Sequence, residues 1–124
     1  MSNPVGYFEI PVTDMDRAMA FYTAVFGWDL ERTTVDGYDM ALLPHSDGAP
    51  GATGALAKGD VYVPTVNGVI LYFGVEDIDA VMARALEAGG SVLYARKAVP
   101  GVGFVAEFKD SEGNRIALHQ SAEP

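Results

Sequence analysis

Glu9 stands between Phe8 and Ile10 in a stretch of extended character that ends at Val12. An acid on a core strand needs a partner or a ligand, because an unpaired buried charge is costly. Chemically it suits a general base or a seat for a cationic group. The structural alternative is an ion pair, for example with Arg115. His119 titrates near neutrality, so it is a candidate acid or base. It also lies five residues from the end of the sequence, where fraying or exposure competes with function. Glu107 alternates with Val105 and Lys109, opposite Phe104, Ala106 and Phe108. With Glu9 it would make a carboxylate pair for acid and base work, or part of an improvised metal site. Cross-strand pairing with Lys or Arg is its commoner fate.

Other candidates carry less. His45 has Asp47 nearby in a loop rich in Gly and Pro, and a metal reading lacks a third donor, so a surface histidine is the better reading. The glycine-rich residues 48–54 lack a Gly-Lys-Ser/Thr ending and lead into no helix, which rejects a phosphate loop and leaves a lip over a pocket. Residues 110–114, Asp-Ser-Glu-Gly-Asn, are too short for a calcium loop and read as a turn. With no cysteine, thiolate metal sites, thiol nucleophiles and disulfide scaffolds are excluded. No Ser-His-Asp arrangement stands out.

The elements that must hold these residues are short. Residues 7–12 read as a strand, and Pro11 bars a helix interior there. Asp14 suits an N-cap; Met15, Ala18, Met19, Tyr22 and Phe26 then recur at helical spacing until Gly27. Strands are predicted at 28–34 and 38–43 around the Asp36-Gly37 hairpin signal, and a short one at 54–57. Residues 58–68 are a connector. The pattern restarts with a strand at 69–75, an Asp77 cap, and a helix striped by Ile78, Val81, Met82, Ala85 and Leu86 that stops at Gly89-Gly90. Strands follow at 91–95, 102–109 and 115–120. A shift of 63 positions pairs Val12 with Val75, Asp14 with Asp77, Asp16 with Asp79, Met19 with Met82, Ala20 with Ala83 and Gly27 with Gly90. These matches fall at strand end, cap, stripe and stop, which is the signature of a duplication.

The expected fold is therefore α+β: two βαβββ modules forming a curved mixed sheet around a central cavity, helices outside. The 124 residues suit one domain of two repeats, with modules at 5–57 and 69–120 joined by 58–68. Two such halves leave a concave space, a natural small-molecule pocket. The hydrophobic share of 49% against 20% charged argues against disorder. Lys plus Arg number 8 against 17 Asp plus Glu, a net −9 that repels phosphate backbones and anionic lipid. A cationic ligand would be attracted, although acidity also simply keeps a protein dissolved. The opening Met-Ser-Asn-Pro-Val-Gly lacks a signal-peptide pattern, and no apolar run approaches the ~20 residues of a membrane span. A cytoplasmic setting is expected.

Three stretches carry a family resemblance. Phe8-Glu9-Ile10-Pro11-Val12 with Asp14, Arg17-Ala18, Phe21-Tyr22 and Val25-Phe26-Gly27-Trp28 looks like the first strand and helix of the vicinal oxygen chelate superfamily of glyoxalases, bleomycin resistance proteins and extradiol dioxygenases. Residues 110–118 resemble its closing turn and strand. The likeness spans almost the whole chain and is strongest to small glyoxalase-related proteins, for which it implies no defined substrate. It implies a homodimer with pockets near the module or subunit junction. In metal-dependent members, His or Glu on the first, fourth, fifth and eighth strands hold one divalent ion. Those positions fall here on Tyr7, on Gly54 or Ala55, on Ile70 and on Ala117. None is His, Asp or Glu, so the inherited metal site reads as absent.

Strand alternation then assigns faces. Tyr7, Glu9 and Pro11 face the cavity with Ile70, Tyr72 and Gly74, and with Arg115, Ala117 and His119. Tyr7, Tyr72, Tyr38 and Met40 could wall a planar ligand, ordinary core being the favoured reading for Met40. The candidate ligand-binding set is Tyr7, Glu9, Met40, Ile70, Tyr72, Glu107, Ala117 and His119, with Glu9 and His119 the candidate catalytic residues. The expected function is binding of a small organic molecule between the modules, with no cofactor and no inherited metal. The alternative is a lyase or isomerase of glyoxalase type using Glu9 with His119 or Glu107, with or without a non-inherited divalent metal. A third is an accessory protein whose helical face or dimer surface matters. Nucleic acid and membrane are not expected partners.

Overall fold

The computed structural model describes residues 3–122, so the first two residues of the opening segment lie outside it. The element order is β1 (Phe8–Val12), α1 (Met15–Phe26), β2 (Glu31–Val35), β3 (Tyr38–Leu42), β4 (Gly54–Lys58), β5 (Leu71–Gly74), α2 (Ile78–Glu87), β6 (Ser91–Val99), β7 (Gly103–Lys109) and β8 (Arg115–Gln120). This is βαβββ twice. Each module forms its own four-stranded mixed sheet, ordered β1-β4-β3-β2 and β5-β8-β7-β6. In each, the first strand runs parallel to the last and the other pairs are antiparallel.

The two helices start alike. The Asp14 side chain accepts the Arg17 backbone N–H at 3.1 Å, and Asp77 accepts that of Ala80 at 3.2 Å. Each satisfies one of the N–H groups that a helix start leaves unpaired. They end differently. Gly27 closes α1 in the left-handed conformation at φ 73°. The sequence match of Gly27 with Gly90 does not extend to this role, because α2 caps at Ala88 and Gly89 takes the positive φ of 108°. Gly90 is needed for closeness instead: a Cβ there would stand 2.6 Å from the Lys109 carbonyl oxygen.

One continuous core lies between the helices and the sheets. Met15, Ala18, Phe21, Tyr22 and Val25 of α1 and Ile78, Val81, Met82 and Ala85 of α2 meet Ile10, Val12, Leu56, Ala106, Phe108, Ile116 and Leu118. Burying a side chain as fully as Phe108 contributes about 2 kcal/mol. Trp28 was expected in a strand. It instead stacks on Phe26, ring centroids 4.3 Å apart, and β2 begins three residues later. Likewise β5 begins at Leu71 rather than residue 69, and Val69 is exposed. β6 runs to Val99, beyond the expected end at 95, with register shifts between Val92 and Tyr94 and between Tyr94 and Lys97. The Arg96 guanidinium lies 4.3 Å above the Phe104 ring and gives that charged stretch a place on the sheet.

The turn between β7 and β8 ties the modules together. Glu112 Oε1 accepts from the backbone N–H of Thr13 at 2.8 Å and of Asp14 at 2.9 Å, and Oε2 takes Arg17 Nε at 2.7 Å. Asp110 organises the turn: Oδ1 accepts from the Glu112 and Asn114 amides, and Oδ2 accepts the Tyr22 hydroxyl at 2.5 Å. Among the described residues, no helix is long and apolar enough to cross a membrane.

Candidate functional site

The faces follow strand alternation. Phe8, Ile10 and Val12 of β1, Leu71 and Phe73 of β5, and Ile116 and Leu118 of β8 pack toward the helices. The opposite, inner face carries Glu9, Tyr72, Ala117 and His119. Parallel register sets Glu9 beside Ala55 and Tyr72 beside Ala117, while antiparallel register sets Glu107 across from Ala117.

Glu9 is half-buried, and its partners are phenols. Tyr7 donates to Oε2 at 3.0 Å and Tyr62 donates to Oε1 at 2.7 Å. The Tyr62 hydroxyl is pushed up to about 12, first by this hydrogen bond, then by burial and by the charge of Glu9. Burial, then the bond to Glu9, raises Tyr7 as well. Tyr62 meets Tyr38 edge to face at 5.3 Å, and the two cover Met40, Ala55 and Ala57. Met40 is thus buried beneath the tyrosines rather than open as a wall. Sequence reasoning missed Tyr62, which sits in the connector. Its one signal was an aromatic residue in an otherwise turn-like stretch.

The ion pair considered for Glu9 forms elsewhere. Arg115 Nε bonds Glu107 Oε1 at 2.6 Å, and the Glu107 side chain is 9% exposed. Glu107 is therefore a paired carboxylate, the outcome that cross-strand neighbours favour. His119 does not fray: it lies within β8, and its Nε2 stands 2.8 Å from the Val102 carbonyl oxygen. A carbonyl only accepts, so Nε2 is the donor in this contact. His45 contacts Asp47 at 2.8 Å on the surface.

Two cavities separate these residues. The first, about 380 Å³, lies where the modules meet. Its walls include Glu9, Pro11, Thr65, Val69, Leu71 and Arg115. Asn114 pins this junction by donating to the Pro11 carbonyl at 2.7 Å and accepting the Thr65 amide at 3.2 Å. The second, about 510 Å³, is lined by Tyr72, Gly74, Val99, Val102, Val105 and His119. Glu9 and His119 thus line different cavities. Ile70, Tyr7 and Tyr72 are exposed, and Ala117 is fully buried. The glycine-rich residues 48–53 line neither cavity.

The four positions compared with a metal site do not suit a divalent ion. Ala55, which faces as Glu9 does, and Ala117 offer buried methyl groups. Ile70 offers none of the N, O or S donors that such ions take, and the Tyr7 phenol is engaged with Glu9. Among the described residues, no three His, Cys, Asp or Glu side chains gather where they could hold a metal.

Comparison with known proteins agrees with the fold. Residues 5–118 match the model of the Glyoxalase/Bleomycin resistance protein/Dioxygenase superfamily. A Vibrio parahaemolyticus protein named "Probable lactoylglutathione lyase" is 34% identical over 120 residues, covering 89% of this chain and 85% of its own. The Mycobacterium bovis "Putative glyoxylase CFP32" is 28% identical over 94% of this chain, which spans only 45% of that relative. The solved structure of TnmS3, an antibiotic binding protein from Streptomyces sp. CB03234, superposes with a TM-score of 0.66 at 28% identity, covering 96% of each chain.

Proposed function

Because the chain belongs to the Glyoxalase/Bleomycin resistance protein/Dioxygenase superfamily, and because its metal positions carry no suitable donors, we propose that it binds a small organic molecule in the cavity between its modules without the family's metal. The observation that carries this reading is Glu9: a carboxylate on the wall of that cavity, held by two phenols, with Arg115 already engaged by Glu107. Apolar walls with a few convergent polar groups are what small-molecule sites offer. The likeness to TnmS3 supports binding rather than turnover as the role.

The test is a pair of substitutions read against any ligand found by thermal shift. Val69→Trp, at an exposed position on the wall, fills the cavity and should abolish binding while leaving the fold intact. Glu9→Gln should weaken binding. Unchanged affinity in both places the site elsewhere.

A second reading keeps chemistry, on the strength of the relative named as a lactoylglutathione lyase. In it Glu9 is a general base. His119 would not be its immediate partner, since the two line different cavities. A bell-shaped pH–rate profile that disappears in Glu9→Gln would support this reading, and full activity in that variant would end it.

A homodimer and a cytoplasmic setting accompany the proposal. Tyr72, Val92, Leu93 and Tyr94 leave apolar surface exposed on the second module, which a second copy would cover. The cysteine-free composition fits a reducing compartment.

A further inference from the structure

Resting on that reading of the junction cavity, we propose that its ligand is an organic ammonium: an amine cation whose N–H groups seat on Glu9 and whose apolar body lies against Val69, Leu71 and Ile116. Three observations lead there. The first is charge. Of the residues lining the cavity, only Glu9 and Arg115 have ionisable side chains. The Arg115 charge is already matched by the buried Glu107 at 2.6 Å. The unmatched charge is therefore one negative carboxylate, in a chain of net −9.

The second is hydrogen-bonding capacity. Each Glu9 oxygen takes one phenol donor. A carboxylate oxygen has about two acceptor directions, so one remains on each. Phenols donate without neutralising the charge. An ammonium supplies both the missing donors and the missing positive charge, and charge-assisted bonds of this kind are roughly twice as strong as neutral ones.

The third is the remainder of the cavity. Phe8, Ile10, Pro11, Val69, Leu71 and Ile116, six of the eleven lining residues, are apolar, so the body attached to the ammonium must be apolar. About 380 Å³ is toward the small end of ligand pockets, which suits a body of one or two fused rings. An anionic ligand would meet Glu9 uncompensated and is disfavoured.

The experiment uses three probes of one shape at neutral pH: 2-naphthylmethylamine, 2-naphthylmethanol and 2-naphthoate. Affinity is measured by calorimetry, and the site is mapped by amide chemical shifts. The expected result is at least tenfold tighter binding of the amine than of the alcohol, no binding of the naphthoate, and shifts at Glu9, Leu71 and Arg115. Glu9→Gln should bring amine and alcohol within about twofold of each other, while Tyr62→Phe, which keeps the charge, should preserve the preference. Equal binding of amine and alcohol by the unmodified protein, or a preference that survives Glu9→Gln, overturns the ammonium assignment and leaves the cavity reading intact. Absence of shifts at the junction with all three probes overturns both.

Discussion

The Tyr62 hydroxyl donates to Glu9 Oε1 at 2.7 Å across 53 residues. The connector between the modules, rather than either sheet, thus completes the surroundings of the one unmatched carboxylate on the cavity wall. Tyr62 reads out that contact. Its phenol is held up to about 12 mainly by the bond to Glu9. Titration of tyrosinate absorbance should show a late group near that value, and Glu9→Gln should bring it down toward the ordinary phenol value of about 10. A midpoint unmoved in Glu9→Gln would mean that the contact does not form in solution. The linked stability is present below about pH 10 and is lost as pH rises through about 12.

Glu112 supplies the acid-side counterpart. Burial alone would raise its carboxyl. The Arg17 guanidinium, the Asp14 and Thr13 amides and the Ser111 hydroxyl outweigh burial and hold it at about 2. A lowered folded value means stability that is present above the unfolded value of about 4.5 and is lost as pH falls through about 2. Allowing for the exposure of Arg17, that stability is about 2 kcal/mol. Urea unfolding of Glu112→Gln at neutral pH should show a loss of this size and a flatter dependence between pH 5 and pH 2. Wild-type stability in the variant would remove Glu112 as a tie between modules.

Tyr22→Phe removes a buried hydroxyl and leaves Asp110 Oδ2 with only the Asn114 side-chain amide, at 3.1 Å. The expected cost is about 1–3 kcal/mol, larger than a surface hydrogen bond would show, because the oxygen left behind is buried. Thermal unfolding checks it. A change under about 0.5 kcal/mol would mean that water satisfies Asp110.

Gly54→Ala tests the β1–β4 register. An added Cβ would stand 2.1 Å from the Phe8 carbonyl oxygen, so the parallel pair must separate where it begins. The variant should lose amide protection along β1 and bind no junction ligand. Gly74→Ala is the matched control, since its Cβ would meet open space. Equal stability of the two would contradict the register.

The repeat, the caps and the strand faces were legible because each depends on spacing within a few residues. Alternation put Phe8, Ile10 and Val12 on the helix side and Glu9 opposite, as the core shows. Element ends were less legible where a tertiary contact decides them. Trp28 stacks instead of pairing, and β6 runs on past Ala95 through a bulged stretch. Of the Glu9 partners, Tyr7, two residues away, was placed on the same face but not as a partner, while Tyr62 depends on how the connector folds back. Local pattern does not specify that path. For the same reason Arg115 could be named as a partner for Glu9 but not matched with Glu107, its neighbour on the adjacent strand.

The central claim is a ligand site at the module junction that works without a metal. Fragment screening by amide chemical shifts, in EDTA and again after adding nickel, zinc or iron(II), tests it most directly. The expected result is fragments that bind in EDTA, shift Phe8, Glu9, Leu71 and Arg115, and are unaffected by metal. Fragments that bind only after metal is added would contradict it.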